Sequence, residues 1–176
     1  MSIKIKKVKI GILGGTFDPA HKGHIAISKE SKKRFKLNYI IWAITKKNPF
    51  KKQSFLNLNS RIKYAKKMTK NYNFIKVKFY EDKIKSNKTI NLINYLKKIN
   101  NKLVIYFIMG ADNLIYFHKW DKWKLIAQKC NILVFDRRGF RRRSLKSHTY
   151  KQLNQRRLKF IKFKKVNISS SQLRKI

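Results

Sequence analysis

Gly14-Gly15-Thr16-Phe17-Asp18-Pro19-Ala20-His21-Lys22-Gly23-His24 follows an apolar run at residues 8–13 and precedes a stretch compatible with a helix. Glycines let a chain turn tightly and bring main-chain amides close to a ligand. The start of a helix adds unpaired N–H groups and the positive end of its dipole, so an anion, above all a phosphate, is the expected guest. His21 and His24 are three positions apart; with the helix beginning near His21 they share a face and converge on one phosphoryl group. By spacing alone, a His-x-x-His pair also fits ordinary surface or core histidines. It fits a metal pair too, but no Cys or carboxylate follows at ligand spacing, and no metal-ligating residue is assigned.

Outward from this turn, residues 8–13, 39–44, 74–79, 103–109 and 132–135 are short apolar or alternating runs rich in β-branched and aromatic residues, which predict strands. Segments 25–35, 61–69, 89–99 and 120–128 have helical length and periodicity. Strands alternating with helices predict an α/β fold: a Rossmann-like, open, mainly parallel sheet flanked by helices. Residues 158–163 alternate with basic residues and could add an edge strand with its charges in water. Residues 169–174 begin a final short helix, and 46–59 is the clearest long loop. No repeat or Pro/Gly-rich linker divides the chain, and 176 residues suit one domain, 1–176. In such a sheet, ligands bind beyond the carboxyl ends of the strands, where Gly14, the long loop, Gly110 to Asn113 and Arg137 would meet.

The formal net charge of +39 taken alone points to nucleic acid or an anionic membrane. Lysine is nevertheless spread through every segment and accompanied by abundant Ile, Asn, Phe and Tyr. That mixture reads as a general bias in residue usage, and no dedicated nucleic-acid partner is expected. The densest cluster, Arg137-Arg138-Gly139-Phe140-Arg141-Arg142-Arg143, reads as a solvated loop. No apolar stretch approaches a membrane span, and the lysine-rich start lacks the apolar core and cleavage site of a signal peptide. A cytoplasmic protein with no membrane partner is expected. The single cysteine, Cys130, sits in an apolar run and is expected to be buried rather than reactive.

The turn motif resembles the signature of the HxGH nucleotidyltransferase superfamily, and its two glycines with Phe-Asp-Pro are similar to those of the nicotinate-nucleotide adenylyltransferase family. Three further segments fit in the right order: Gly110-Ala111-Asp112-Asn113-Leu114, Phe117-His118-Lys119-Trp120 and Ile168-Ser169-Ser170-Ser171-Gln172-Leu173-Arg174. The resemblance spans Ile10 to Arg174. It implies adenylyl transfer from ATP, with Mg2+, to nicotinate mononucleotide, giving deamido-NAD and pyrophosphate in NAD biosynthesis. His21 and His24 are then the catalytic pair. Gly15, Thr16, Phe17, Ser169, Ser170, Ser171 and Arg174 join them in binding ATP, and Asp18, Thr89, Asp112 and Trp120 bind the nicotinate nucleotide.

Each local reading has a plainer alternative. The serines could simply cap a helix, Asp112 could be an N-cap as well as a ribose acceptor, and Trp120 could be a core residue rather than a platform for the pyridine. Thr89 matches the Thr of the family's Ser-Tyr-Thr segment, with Lys88 in place of the Tyr. Lys46-Lys47-Asn48-Pro49-Phe50-Lys51 resembles the Asn-Pro-Pro-His-Lys loop, with Phe50 where a His is common. The chain stops soon after Arg174, short of the longer terminal helix many family members carry.

The chemistry needs no protein nucleophile. Positioning and neutralisation of charge on the transferring phosphate can carry it. Pantetheine-phosphate adenylyltransferase is the nearest rival, disfavoured by Gly14-Gly15, by His21 and by the Gly-Ala-Asp-Asn and Phe-His-Lys-Trp segments. A basic RNA-binding protein on the same scaffold is favoured by net charge alone. The sequence leaves open the quaternary state, with a homo-oligomer compatible, and the choice between nicotinate and nicotinamide nucleotide.

Overall fold

In a computed structural model that describes residues 7–47, 54–153 and 156–163, Val8–Gly15 forms strand β1 near the middle of the sheet. It is almost wholly apolar because both of its faces are covered. Gly11 shows how closely: a Cβ there would lie 2.9 Å from the Ile108 side chain and 3.0 Å from that of Ile40.

The chain continues through α1 (Lys22–Phe35), β2 (Tyr39–Ile44), α2 (Leu58–Thr69), β3 (Ile75–Phe79), α3 (Glu81–Ile84) and α4 (Thr89–Ile99). There follow β4 (Leu103–Gly110), α5 (Ala111–Tyr116), a 3₁₀ turn (Phe117–Lys119), α6 (Trp123–Lys129), β5 (Asn131–Phe135), α7 (Arg141–Leu145), α8 (His148–Gln152) and β6 (Leu158–Ile161). The described strands form one sheet of order β3-β2-β1-β4-β5-β6, parallel at every pairing. This is the open α/β sheet that the alternation predicts, and β6 is its edge strand, with Lys159 exposed.

Alternate residues of each strand enter opposite cores. Ile10, Ile12, Ile41, Ile105, Phe107 and Val134 pack with Ile90 and Ile93 of α4, Leu114 of α5 and Ile126 of α6. Leu13, Ile40, Trp42, Ile108 and Phe135 pack on the other face with Ile25 of α1 and Ala65 of α2. The order reverses between β1 and β4, which places the crevice of the sheet beyond their carboxyl ends. Exposed lysines occur on α1 and α2 over one face and on α4 and α6 over the other, so the positive charge forms no single stripe. Cys130 is buried, and burial pushes its thiol up to about 12. Among the described residues no helix is long and apolar enough to cross a membrane.

The differences from the sequence reading have local causes. β1 runs on through Gly14 and Gly15 because these pair with Ala43 and Ile44. α1 starts at Lys22 because His21 caps it, and α2 at Leu58 because Asn57 caps it, shortening the expected loop. The helix expected from Trp120 begins at Trp123, after Lys122 turns the chain with a left-handed φ of 50°. Arg141 to Arg143 lie on a short helix rather than a loop, although all three remain exposed. Asp112 is not an N-cap: Gly110 occupies that position and Asp112 lies in the first turn of α5.

Candidate active site

After β1 the backbone turns at Phe17, whose φ is 48°; among the described glycines only Gly139 has a positive φ. A left-handed phenylalanine is unfavourable by roughly 1 kcal/mol. Its ring is buried, stacked on Trp42 at 4.9 Å and packed against His24 at 4.7 Å, contacts that offset the cost. The two glycines at the end of β1 therefore serve something other than the turn. A Cβ on Gly14 would meet only Phe107, at an ordinary 3.7 Å, and one on Gly15 only Phe17, also from 3.7 Å. Protein packing leaves room for side chains there, and what their absence opens is the cleft described below.

His21 is the N-cap of α1, and His24 is its third residue. The Gly23 N–H donates to His21 Nδ1, and the His21 N–H donates to His24 Nδ1, each at 3.1 Å. This is a capping box built from two histidines in place of the usual hydroxyl and carboxylate. Because each Nδ1 is an acceptor, each neutral imidazole carries its proton on Nε2. The ring centroids are 3.8 Å apart. Burial, helped by the charge of Arg137, lowers His21 to about 4. No acidic residue occupies the first turn of α1, so its dipole end is left for an external anion.

Two buried polar residues hold the loops around this turn. The Arg61 guanidinium donates to the carbonyls of Thr16 (2.6 Å), Thr45 (2.8 Å), Lys46 (2.9 Å) and Leu56 (3.1 Å). One side chain thus ties the β1 turn to the loop after β2 and to the entry into α2. Burial lowers its pKa, while Asp18 and Glu81 oppose the shift. Asp18 accepts from the N–H groups of Phe55 (2.6 Å) and Leu56 (2.9 Å). It is buried and directed to that loop, outside the lining of the cleft.

Beyond β4 and β5, Asp112 and Arg137 form an ion pair at 2.5 Å. Between β1, β2 and β4 on one side and α4 on the other lies a cleft of about 400 Å3, with Gly14, Gly15, Thr45, Thr89, Asn113 and Trp120 in its walls. The volume suits a mononucleotide-sized ligand. Thr89 is the first residue of α4, where main-chain amides lack intrahelical partners. Trp120 meets Phe107 and Phe117 edge-on, at 5.8 and 5.2 Å, while also facing the cleft. The ring is thus packed against the core and also exposed to the cleft.

The structure thus brings together Gly15, Thr16, Phe17, His21 and His24 at one turn, and Thr89 and Trp120 at the adjoining cleft, with Asp112 next to the cleft residue Asn113. Ser169, Ser170, Ser171 and Arg174 lie outside the described residues, as does Phe50. Arg61 was missed by sequence reasoning, and Arg137 was expected at this edge of the sheet but without its partner Asp112. Arg61 had a signal: it shares the inward stripe of α2 with Ala65 and Thr69, at intervals of four.

Comparison with known proteins gives the same picture. The pattern of the cytidylyltransferase-like family matches residues 12–176. The chain is 69% identical over 171 residues to a probable nicotinate-nucleotide adenylyltransferase of Pelagibacter ubique, covering 97% of this chain and 94% of that protein. A counterpart from Bradyrhizobium sp. (strain ORS 278) is 39% identical over 76% of this chain and 71% of its own length. The fold is shared with Plasmodium falciparum nicotinic acid mononucleotide adenylyltransferase, solved as a complex with NaAD. That match has a TM-score of 0.76 at 21% identity, covering 96% of this chain and 83% of the other. Turn, cleft and relatives agree: the chain belongs to the cytidylyltransferase-like family and, within it, to the nicotinate-nucleotide adenylyltransferase enzymes.

Proposed function

We propose that this enzyme transfers the adenylyl group of ATP to nicotinate mononucleotide, forming nicotinate adenine dinucleotide and pyrophosphate for NAD biosynthesis. The observation that carries this reading is the histidine capping box at the point where the sheet order reverses, next to a cleft of mononucleotide size. An oxygen of the acceptor's 5′-phosphate attacks the α-phosphorus of ATP, and the bond from that phosphorus to the bridging oxygen of pyrophosphate breaks. The Nε2–H groups of His21 and His24 donate to the oxygens on which charge grows, assisted by the dipole of α1 and by amides of Gly15 to Phe17. Their orientation is set before substrate arrives, because each Nδ1 is already engaged by a main-chain N–H.

Trp120 supports the pyridine ring, the start of α4 at Thr89 receives its carboxylate, and Asp112, held by Arg137, accepts from ribose hydroxyls. Asp18 acts through the loop it anchors. On sequence grounds Ser169, Ser170, Ser171 and Arg174 grip the triphosphate. Among the described residues no group of three or more His, Cys, Asp or Glu gathers at metal-ligand distances. Mg2+, which the family resemblance implies, would neutralise phosphate charge on the triphosphate. The whole chain, 1–176, works as one domain in the cytoplasm. Purified protein supplied with ATP and, separately, nicotinate mononucleotide, nicotinamide mononucleotide or phosphopantetheine tests the reading. Pyrophosphate release fastest with the nicotinate nucleotide is expected. Release only with phosphopantetheine would overturn it.

A further inference from the structure

The two pyridine mononucleotides differ only at the 3-substituent of the ring, a carboxylate in one and a neutral carboxamide in the other. Main-chain amides at the start of α4 can donate to an oxygen of either, so hydrogen bonding there discriminates weakly. Charge discriminates strongly in principle, and the cleft wall holds Lys47, Lys88 and Lys119 against Glu81 and Asp121. Lys88 is the cap residue of α4, adjoining Thr89, and its side chain makes no capping hydrogen bond. Its ammonium instead lies 3.5 Å from a carboxylate oxygen of Asp121, the residue after Trp120. The charge therefore stands between the start of the helix and the aromatic wall of the cleft.

We propose that Lys88 determines specificity for the 3-carboxylate, exchanging Asp121 for the carboxylate of the bound nucleotide; this rests on the adenylyl-transfer reading above. At 3.5 Å the existing pair is longer than a charge-assisted hydrogen bond of about 2.7–2.9 Å, and both side chains are half-exposed. Replacing one carboxylate by another leaves the ammonium neutralised throughout, so binding requires no burial of an unpaired charge. Asp121 acts as the competitor, holding Lys88 in place before substrate arrives and yielding it afterwards.

The two partners must then act with opposite sign. Lys88→Met should lower the nicotinate-to-nicotinamide ratio of kcat/KM about five-fold, the scale of a half-exposed ion pair, mainly through KM for the nicotinate nucleotide. Lys88→Arg should keep most of the preference, and Asp121→Asn should raise it. In the wild-type enzyme, added salt should erode the ratio by screening the same charge. If the pair were only a clasp between α4 and the Trp120 loop, Lys88→Met and Asp121→Asn would move the ratio in the same direction, which overturns the assignment. Equal rises in KM for both mononucleotides, pointing to a phosphate contact, overturn it too. A wild-type enzyme idle on nicotinate mononucleotide would sink the function as well; an active one with a salt-insensitive ratio would sink the Lys88 role alone.

Discussion

The histidine turn and the cleft that adjoins it are built on different principles. At the turn, the proposed phosphate end, His21 and His24 are fixed by main-chain N–H groups, Phe17 packs against His24, and Arg61 binds carbonyls from each surrounding loop. In the cleft, the proposed pyridine end, Lys88 and Asp121 are half-exposed and meet at 3.5 Å. The contrast follows from what each end must do. Charge that develops during bond breaking is best met by donors that need no reorganisation. Choosing between two substrates needs a group whose partner can be exchanged. The first end should therefore be sensitive to single substitutions, and the second forgiving.

Arg61→Ala is the severest test of the rigid end. It leaves the carbonyls of Thr16, Thr45, Lys46 and Leu56 without their donor inside the protein. The expected loss of stability is on the order of 3–5 kcal/mol, a fall in melting temperature of roughly 10 °C. Turnover should fall in the fraction that remains folded. Arg61→Lys should recover little, because an ammonium lacks the planar fork that reaches several carbonyls at once. Thermal denaturation and steady-state assays on the same samples decide it, and an Arg61→Ala enzyme of ordinary stability and rate would remove the claim that this end is clamped.

His21→Ala and His24→Ala should each lower turnover by about 10²–10³, the usual effect of deleting one preorganised donor. Each change also removes half of the capping box, at about 1 kcal/mol of stability. His21→Asn separates these effects, since asparagine can cap a helix but has no Nε2–H at the same reach. Full activity in His21→Asn would leave the histidine with a capping role only.

This contrast was only partly readable from the sequence. The glycines, His21 and His24 fall within one short stretch, so their proximity is dictated by local chain geometry. The parallel sheet was equally legible, because strands covered on both faces are continuous apolar runs. Arg61 escaped because the carbonyls it binds come from separate loops, and no spacing rule records a main-chain acceptor. Arg137 was placed at the right edge, but its ion pair escaped because Asp112 is brought to it by the pairing of β4 with β5. The short helices α3, α5, α7 and α8 have too few residues to display a period. The turn itself was misattributed to glycine, whereas the left-handed residue is Phe17, held there by Trp42.

The rigid end also predicts a pH dependence. His21 titrates at about 4 in the folded protein against 6.5 ordinarily, chiefly through burial. Between those values the unfolded chain binds a proton that the folded one does not. The contribution is thus complete above pH 6.5 and is lost as pH falls through 4. Its ceiling is roughly 3 kcal/mol. A chain of net charge +39 also depresses its own histidines when unfolded, which reduces the effect. His21→Asn should flatten the stability curve between pH 6.5 and 4, as followed by urea denaturation. An unchanged acid limb would show that His21 is not held neutral.

The smallest effect is expected at the forgiving end, from Trp120. Its ring is held edge-on by Phe107 and Phe117 while also facing the cleft, so truncation removes both core contact and platform. An offset aromatic pair contributes about 0.5–1.5 kcal/mol beyond area burial, so Trp120→Ala should raise KM for the nicotinate nucleotide about 2–10-fold and leave ATP binding largely intact. Trp120→Phe keeps a flat surface and should lie between the two. Because both pyridine nucleotides stack alike, the preference set by Lys88 should survive in Trp120→Ala even as both KM values rise. A variant that loses stability with KM unmoved would make Trp120 a core residue only. One whose preference also collapses would show that ring and charge act as a single fixed unit, and the pyridine end would then be as rigid as the phosphate end.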